Sequence, residues 1–223
     1  MRIRPVGAHA LLLDFTANPA EPADLRAAQP SAAEVAGMVE AWRAELWRRR
    51  DRGDLVATEI VPAAATVLLN GVPDPMAAAD RIAGWAPPSP ATTALADADL
   101  LEVPVTYDGE DLPRVAGHWG TDVPGVVRRL GRTEFRVAFC GFAPGFGYLT
   151  GLPAELAVPR LATPRPRVPA GSVALAGPYA GIYPTASPGG WLLVGRTALT
   201  LFDAHAHPPA LLTPGTRVRL VTA

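Results

Sequence analysis

The residues of this chain best suited to chemistry lie between Gly141 and Arg196, in the order GFAPGFGYL, PRLATPRPRVPAGSV and GIYPTASPGGWLLVGR. Phe142, Phe146, Tyr148, Tyr183 and Trp191 stand among the glycines, and Arg160, Arg165 and Arg167 among the prolines. Glycine reaches positive φ without steric cost, and proline fixes φ and removes a donor, so their alternation predicts rigid, non-repetitive loops. Apolar platforms beside guanidinium groups suit a small anionic or amide-bearing ligand, or a partner protein. The same residues also serve as corners and core plugs of a small β-barrel, so each carries both readings.

Arg165 and Arg167 flank Pro166, which restricts the backbone toward extended geometry and predicts that both side chains project to one face. A forked pair of this kind holds a carboxylate or phosphate by bidentate, charge-assisted hydrogen bonds; the alternative is that the two pack against acidic surface groups. Arg160 and Arg196 carry the same two readings. Main-chain N–H groups near Gly145, Gly189 and Gly190 are placed to stabilise a developing oxyanion. Pro144, Pro169, Ser172, Pro184 and Ser187, from the same loops, complete the candidate substrate- or partner-binding set, and no catalytic residue is assigned. Glu155 and Asp203 do not form an evident acid and base pair, and Asp203, after an apolar run, reads as a turn cap. His205 and His207 would share a face on a strand, but no third ligand lies nearby and Pro208-Pro209 ends the segment, so they read as loop. Neither Ser172 nor Ser187 lies in a GxSxG elbow. Cys140 ends the apolar run Val137-Ala138-Phe139 and reads as core packing. No metal site is predicted.

The elements that position these residues fall into two parts. Residues 9 to 15 read as a strand, Ser31 to Glu34 as a capping box opening a helix to about Arg50, 55 to 61 and 66 to 70 as two strands, and Asp74-Pro75 as the start of a second helix. This βαββα series predicts a small sheet with helices on one face. The Pro-, Ala- and Thr-rich stretch at about 86 to 99 reads as a linker. Beyond it come a strand over 101 to 107, short helices over 111 to 119 and 122 to 131, and strands over 135 to 140, 172 to 176, 191 to 195, 199 to 202 and 217 to 222. Their spacing argues for a barrel. The fold class is therefore α+β, with domains over 1–88 and 100–223.

Composition narrows the partners. A formal charge of −1 leaves no electrostatic footprint for nucleic acid. All 20 basic residues are arginine, so a Walker-type loop, which needs a lysine on the phosphates, is excluded. One cysteine rules out an internal disulfide. Asp14 interrupts the apolar run after Arg2 and Arg4, and no apolar stretch approaches membrane-spanning length, so a cytoplasmic location without membrane association is expected.

In their order, the GFxPGFxYL, PR, VPAGSV, YP and SPGGW blocks resemble the family of 5-oxoprolinase B subunits, also called allophanate hydrolase subunit 1 or KipI-like proteins. The resemblance runs strongly through Gly195-Arg196-Thr197 and Leu201-Phe202-Asp203, and more weakly to RPVGAHALLLDF at the start and Ile60-Val61-Pro62. It implies a cyclophilin-like β-barrel in the C-terminal half behind a small α+β domain. It also implies a related second subunit (allophanate hydrolase subunit 2, or the C-type subunit of 5-oxoprolinase), a LamB-type partner, and ATP-dependent cleavage of 5-oxoproline to glutamate by the complex. ATP is then used by the complex and not held mainly by this chain. Leu130 stands where the family has a histidine, Ala64 where it often has tyrosine, and Tyr179-Ala180 where Gln-Thr is common. Two other roles fit the same resemblance: a KipI-like inhibitor that grips a histidine kinase, and a hydrolase component acting on allophanate or urea-derived amides.

Overall fold

A computed structural model of the chain describes residues 1–16, 32–86 and 100–223. Its backbone separates into two compact units, Met1–Ala96 and Asp97–Ala223. The first is a four-stranded antiparallel sheet in the order β1-β2-β4-β3, built from β1 (Arg2–Pro5), β2 (Ala10–Asp14), β3 (Glu59–Pro62) and β4 (Thr66–Asn70). Alternation in β2 and β4 turns Leu11, Leu13, Val67 and Leu69 inward, and the register sets Leu11 opposite Leu69 and Leu13 opposite Val67. One sheet face is therefore continuously apolar. Helix α1 (Ala32–Asp51) covers it with Val39, Trp42 and Leu46, at spacings of three and four residues, and α2 (Pro75–Ala83) with Ala78 and Ile82. The start of α2 follows from its sequence: the Asp74 carboxylate accepts the Ala77 N–H at 3.0 Å and Pro75 takes the first helical position.

β1 has no counterpart in the sequence reading, because RIRP carries no apolar alternation and is a strand only by pairing with β2. The strand expected over 55–61 begins at Glu59. Leu55 and Ala57 are buried, but they precede the ladder, which the Thr58 N–H enters by donating to the Asn70 carbonyl. Ser31 of the expected capping box, and all of the expected linker but Ala86, lie outside the described residues.

The second unit is a nearly closed β-barrel in a mixed α/β chain. Its seven-stranded sheet runs β12-β9-β10-β7-β6-β13-β5, comprising β5 (Leu100–Val105), β6 (Glu134–Cys140), β7 (Gly147–Thr150), β9 (Ser172–Ala176), β10 (Tyr179–Ile182), β12 (Leu192–Arg196) and β13 (Arg217–Thr222). β13 pairs parallel to β5 and antiparallel to β6. The two sheet edges meet through Thr106 and Arg196, which exchange backbone hydrogen bonds of 2.9 Å each way. Closure removes most of the open edge that a seven-stranded sheet would otherwise expose. Inside lie Val103, Phe135, Val137, Leu149, Val173, Leu175, Val218 and Leu220, and α3 (Leu112–His118) and α4 (Val123–Arg132) add Val115, Val126 and Leu130 to the same core. A separate two-stranded ribbon pairs β8 (Arg165–Val168) with β11 (Ser187–Gly189).

The strands expected over 172–176 and 217–222 form over those residues, whereas 199–202 does not become a strand and contributes only an isolated pairing of Phe202 with Ala210. β7, β8, β10 and β11 were not legible in advance. They are short and rich in glycine or proline, and long-range pairing rather than local propensity makes them strands.

Candidate functional site

The GFAPGF segment folds into two consecutive tight turns. The Ala143 N–H donates to the Gly141 carbonyl at 2.8 Å, closing a γ-turn around Phe142, whose φ is 68°. The Phe146 N–H then donates to the Ala143 carbonyl at 3.0 Å around Pro144 and Gly145, with φ of 82° at Gly145, the pattern of a type II turn. Glycine is required at 145 for space as well: a Cβ there would lie 2.7 Å from Cβ of Phe202 and 3.0 Å from the Leu201 carbonyl oxygen. The turns send Phe146 inward, 1% exposed, and leave Phe142 60% exposed. A bulky residue at positive φ costs on the order of 1–3 kcal/mol, and the surrounding hydrogen bonds hold it there.

Phe146 is the hub of a ring cluster outside the main barrel core. Its centroid lies 5.2 Å from Phe142, 5.0 Å from Tyr148, 5.5 Å from Tyr183 and 5.5 Å from Trp191, all edge-to-face. Glycine at 181 makes room for it, since a Cβ would lie 2.8 Å from the Phe146 ring and 3.0 Å from the Trp191 ring. These rings border a cavity of about 150 Å³ lined by Phe142, Phe146, Tyr148, Arg160, Tyr183, Pro188, Gly189 and Trp191. A space of that size admits a small ligand of roughly benzene dimensions.

Arg160 is brought to the cavity by its chain neighbours. Val158 pairs with Gly177 through hydrogen bonds of 3.2 and 2.7 Å, and the Leu161 N–H donates to the Gly190 carbonyl at 2.7 Å. Among the described residues, no carboxylate pairs with Arg160. Tyr183 is 2% exposed, and its hydroxyl lies so close to Gly189 that a Cβ there would sit 2.3 Å from it. Burial pushes the Tyr183 phenol above its ordinary pKa, against the opposing pull of the Trp191 backbone N–H and the Arg160 and Arg165 charges. The phenol is therefore protonated near neutral pH.

The other arginines are engaged elsewhere. Arg165 Nη2 donates to the Asp111 carboxylate at 2.7 Å, Nε approaches Glu110 at 2.6 Å, and Nη1 donates to the Trp191 carbonyl at 3.2 Å. Its fork is filled by this chain's own acceptors. Arg167 is exposed on β8 and does not line the cavity, and Arg196 pairs with Asp108 at 2.7 Å. Asp111 was not singled out in the sequence, yet its buried carboxylate also accepts the Leu193 N–H at 2.7 Å and so ties the α3 entry to β12. Its position after Gly109-Glu110, far in sequence from the arginine-bearing loops, gave no local signal. Pro188 was likewise unmarked.

The structure thus gathers Phe142, Phe146, Tyr148, Arg160, Tyr183, Gly189 and Trp191 around one cavity. Pro144 and Gly145 shape the turn beneath it. Gly190 anchors Leu161, Ser172 is buried in β9 after Pro169, whose carbonyl accepts its N–H, Pro184 follows Tyr183, and the Ser187 hydroxyl donates to the Thr185 carbonyl. Asp203 accepts the His205 N–H at 2.9 Å, closing a turn. Among the described residues, no three His, Cys, Asp or Glu side chains converge as metal ligands, and no helix is long and apolar enough to cross a membrane.

Cys140 is half-buried, its thiol donates to the Leu212 carbonyl at 3.4 Å, and burial raises its pKa. Little thiolate forms near neutral pH. Alkylation of the folded protein by iodoacetamide at pH 7.5 is expected to be much slower than in denaturant, as mass spectrometry can follow; equal rates would contradict the buried-thiol assignment.

Comparison with known proteins places this geometry among relatives. Residues 1–212 match the family described as carboxyltransferase domain, subdomain C and D. The chain is 45% identical over 161 residues to the 5-oxoprolinase B subunit of Escherichia coli O157:H7, covering 70% of this chain and 72% of that protein. It is 43% identical over 125 residues to the Bacillus subtilis (strain 168) protein of the same name, covering 55% of this chain and 52% of the relative. The crystal structure of TTHA0988 superposes with a TM-score of 0.71 at 32% identity, over 100% of this chain but 40% of that one. The chain therefore spans well under half the length of that structure and about half that of the B. subtilis relative.

Proposed function

We propose, because the chain belongs to the carboxyltransferase-domain subdomain C and D family and within it to the group of 5-oxoprolinase B subunits (allophanate hydrolase subunit 1, KipI-like), that it is one component of an ATP-dependent amidohydrolase complex acting on 5-oxo-L-proline. The observation that supports this reading is the cavity itself, where five aromatic side chains and a single arginine, without a carboxylate partner among the described residues, border a space for a small, flat, anionic amide. The complex converts 5-oxo-L-proline, ATP and water to L-glutamate, ADP and phosphate. In that reaction ATP activates the lactam carbonyl by phosphorylation before water opens the ring.

This chain's share is to hold and orient the small ligand, not the nucleotide. A cavity of about 150 Å³ is below the range of roughly 300–1,000 Å³ usual for drug-sized ligands, and the chain has no lysine to grip phosphates. The nucleotide and the groups that move protons are assigned to the partner chains: a related second subunit, of the C type in 5-oxoprolinase, and a LamB-type protein. A KipI-like role, in which the same face grips a protein, draws on the 60% exposure of Phe142 at the cavity rim.

The test is reconstitution. The purified chain should show negligible 5-oxoprolinase and ATPase activity. Coexpression with the second subunit should give a stable complex, burying on the order of 1,000 Å² or more if it is obligate, and 5-oxoproline-dependent ADP release once the LamB-type partner is added. Robust turnover by the chain alone, or a full complex that ignores 5-oxoproline, would overturn the reading.

A further inference from the structure

Among the polar side chains that line the aromatic cavity, Arg160 and Tyr183 differ in kind. Arg160 brings a permanent positive charge and a planar fork of donors, and among the described residues no carboxylate answers it. Arg165, by contrast, is saturated by Asp111, Glu110 and the Trp191 carbonyl. Tyr183 has its oxygen against the Gly189 backbone. A neutral phenol has its own proton to give. Burial keeps that proton on at neutral pH. The remaining lining is the rings of Phe142, Phe146, Tyr148 and Trp191 with Pro188 and Gly189, a largely apolar wall against which a flat ligand can lie.

We propose that this chain alone recognises a small carboxylate that also carries an amide or lactam carbonyl, with Arg160 pairing the carboxylate and the Tyr183 hydroxyl donating to the carbonyl oxygen. The proposal deepens the 5-oxoprolinase reading and rests on it for the ligand class. Arg160 is a specificity-determining residue here, since it favours the carboxylate over a neutral amide. Tyr183 distinguishes a lactam from a plain imino acid, because a buried donor left without an acceptor penalises the wrong ligand.

The full chain is titrated with 5-oxo-L-proline, with pyrrolidin-2-one, which lacks the carboxylate, and with L-proline, which lacks the ring carbonyl; calorimetry reports binding, and so does the intrinsic fluorescence of the five tryptophans, of which Trp191 borders the cavity. 5-Oxoproline should bind saturably, and each of the other two about tenfold to a hundredfold more weakly. Arg160→Gln should weaken 5-oxoproline by a similar factor and leave pyrrolidin-2-one unchanged, whereas Tyr183→Phe should weaken both lactams and strengthen L-proline, which no longer strands a buried donor. Arg160 is exposed and Tyr183→Phe keeps the ring, so both variants are expected to fold, which melting curves verify. Equal affinity for 5-oxoproline and pyrrolidin-2-one, or an Arg160→Gln variant that binds like the parent, would overturn the proposal. The two readings separate cleanly. Turnover of 5-oxoproline by the reconstituted complex with no binding to this chain sinks the inference and spares the function. Binding to this chain with no turnover by the complex does the reverse.

Discussion

Asp111→Ala is expected to destabilise the C-terminal unit by about 3 kcal/mol, a larger effect than any exposed ion pair of this chain would give. The Asp111 side chain is 9% exposed and that of Arg165 19%, so the substitution strands a mostly buried guanidinium and also unpairs the Leu193 N–H. Glu110, with a side chain 64% exposed, and the Trp191 carbonyl still reach Arg165 and hold the loss near the lower end of the range for broken buried pairs. Arg165→Lys should also destabilise, because one ammonium cannot meet three acceptors set around a planar fork. Thermal melting and denaturant titration decide the matter. If either variant keeps parental stability while the reconstituted complex loses turnover, Arg165 belongs to the chemistry and not to the scaffold.

Phe146→Ala should cost about 3–5 kcal/mol, the range for truncating a buried aromatic, and its consequences should spread. Four rings pack edge-to-face on this one, so its loss opens a void between Tyr183 and Trp191 and removes support from the strained turn at Phe142. Stability and ligand binding are expected to fall together. In Arg160→Gln, binding alone should fall. A Phe146→Ala protein with an unchanged melting temperature would mean that the ring cluster contributes nothing to the fold.

The cluster and the scaffold were legible to different degrees, for physical reasons. Local rules sufficed for α2, where an Asp74 cap and Pro75 specify the start, for α4, which Asp122 caps at Gly125 and whose inward residues are Val126 and Leu130, for β9 with its apolar run and for β13 with its alternation of arginine and aliphatic residues. The glycines and prolines of the GFAPGF segment also announced tight turns and an aromatic surface, because φ preferences are properties of single residues. What those preferences do not contain is partnership. Arg165 and Arg167 looked equivalent in sequence, alternating around Pro166, yet one is filled by Asp111, 54 positions earlier, and the other faces outward. Arg160, with weaker local support, is the one carried to the cavity, since Gly177 and Gly190 grip its neighbours from two other loops. The barrel closes the same way, through the pairing of Thr106 with Arg196. Residue type and spacing determined which turns and elements form and which groups could do chemistry. Only the tertiary structure decided which of those groups are spent on holding the fold and which remain available to a ligand, because satisfaction of a charge depends on neighbours that chain order does not supply.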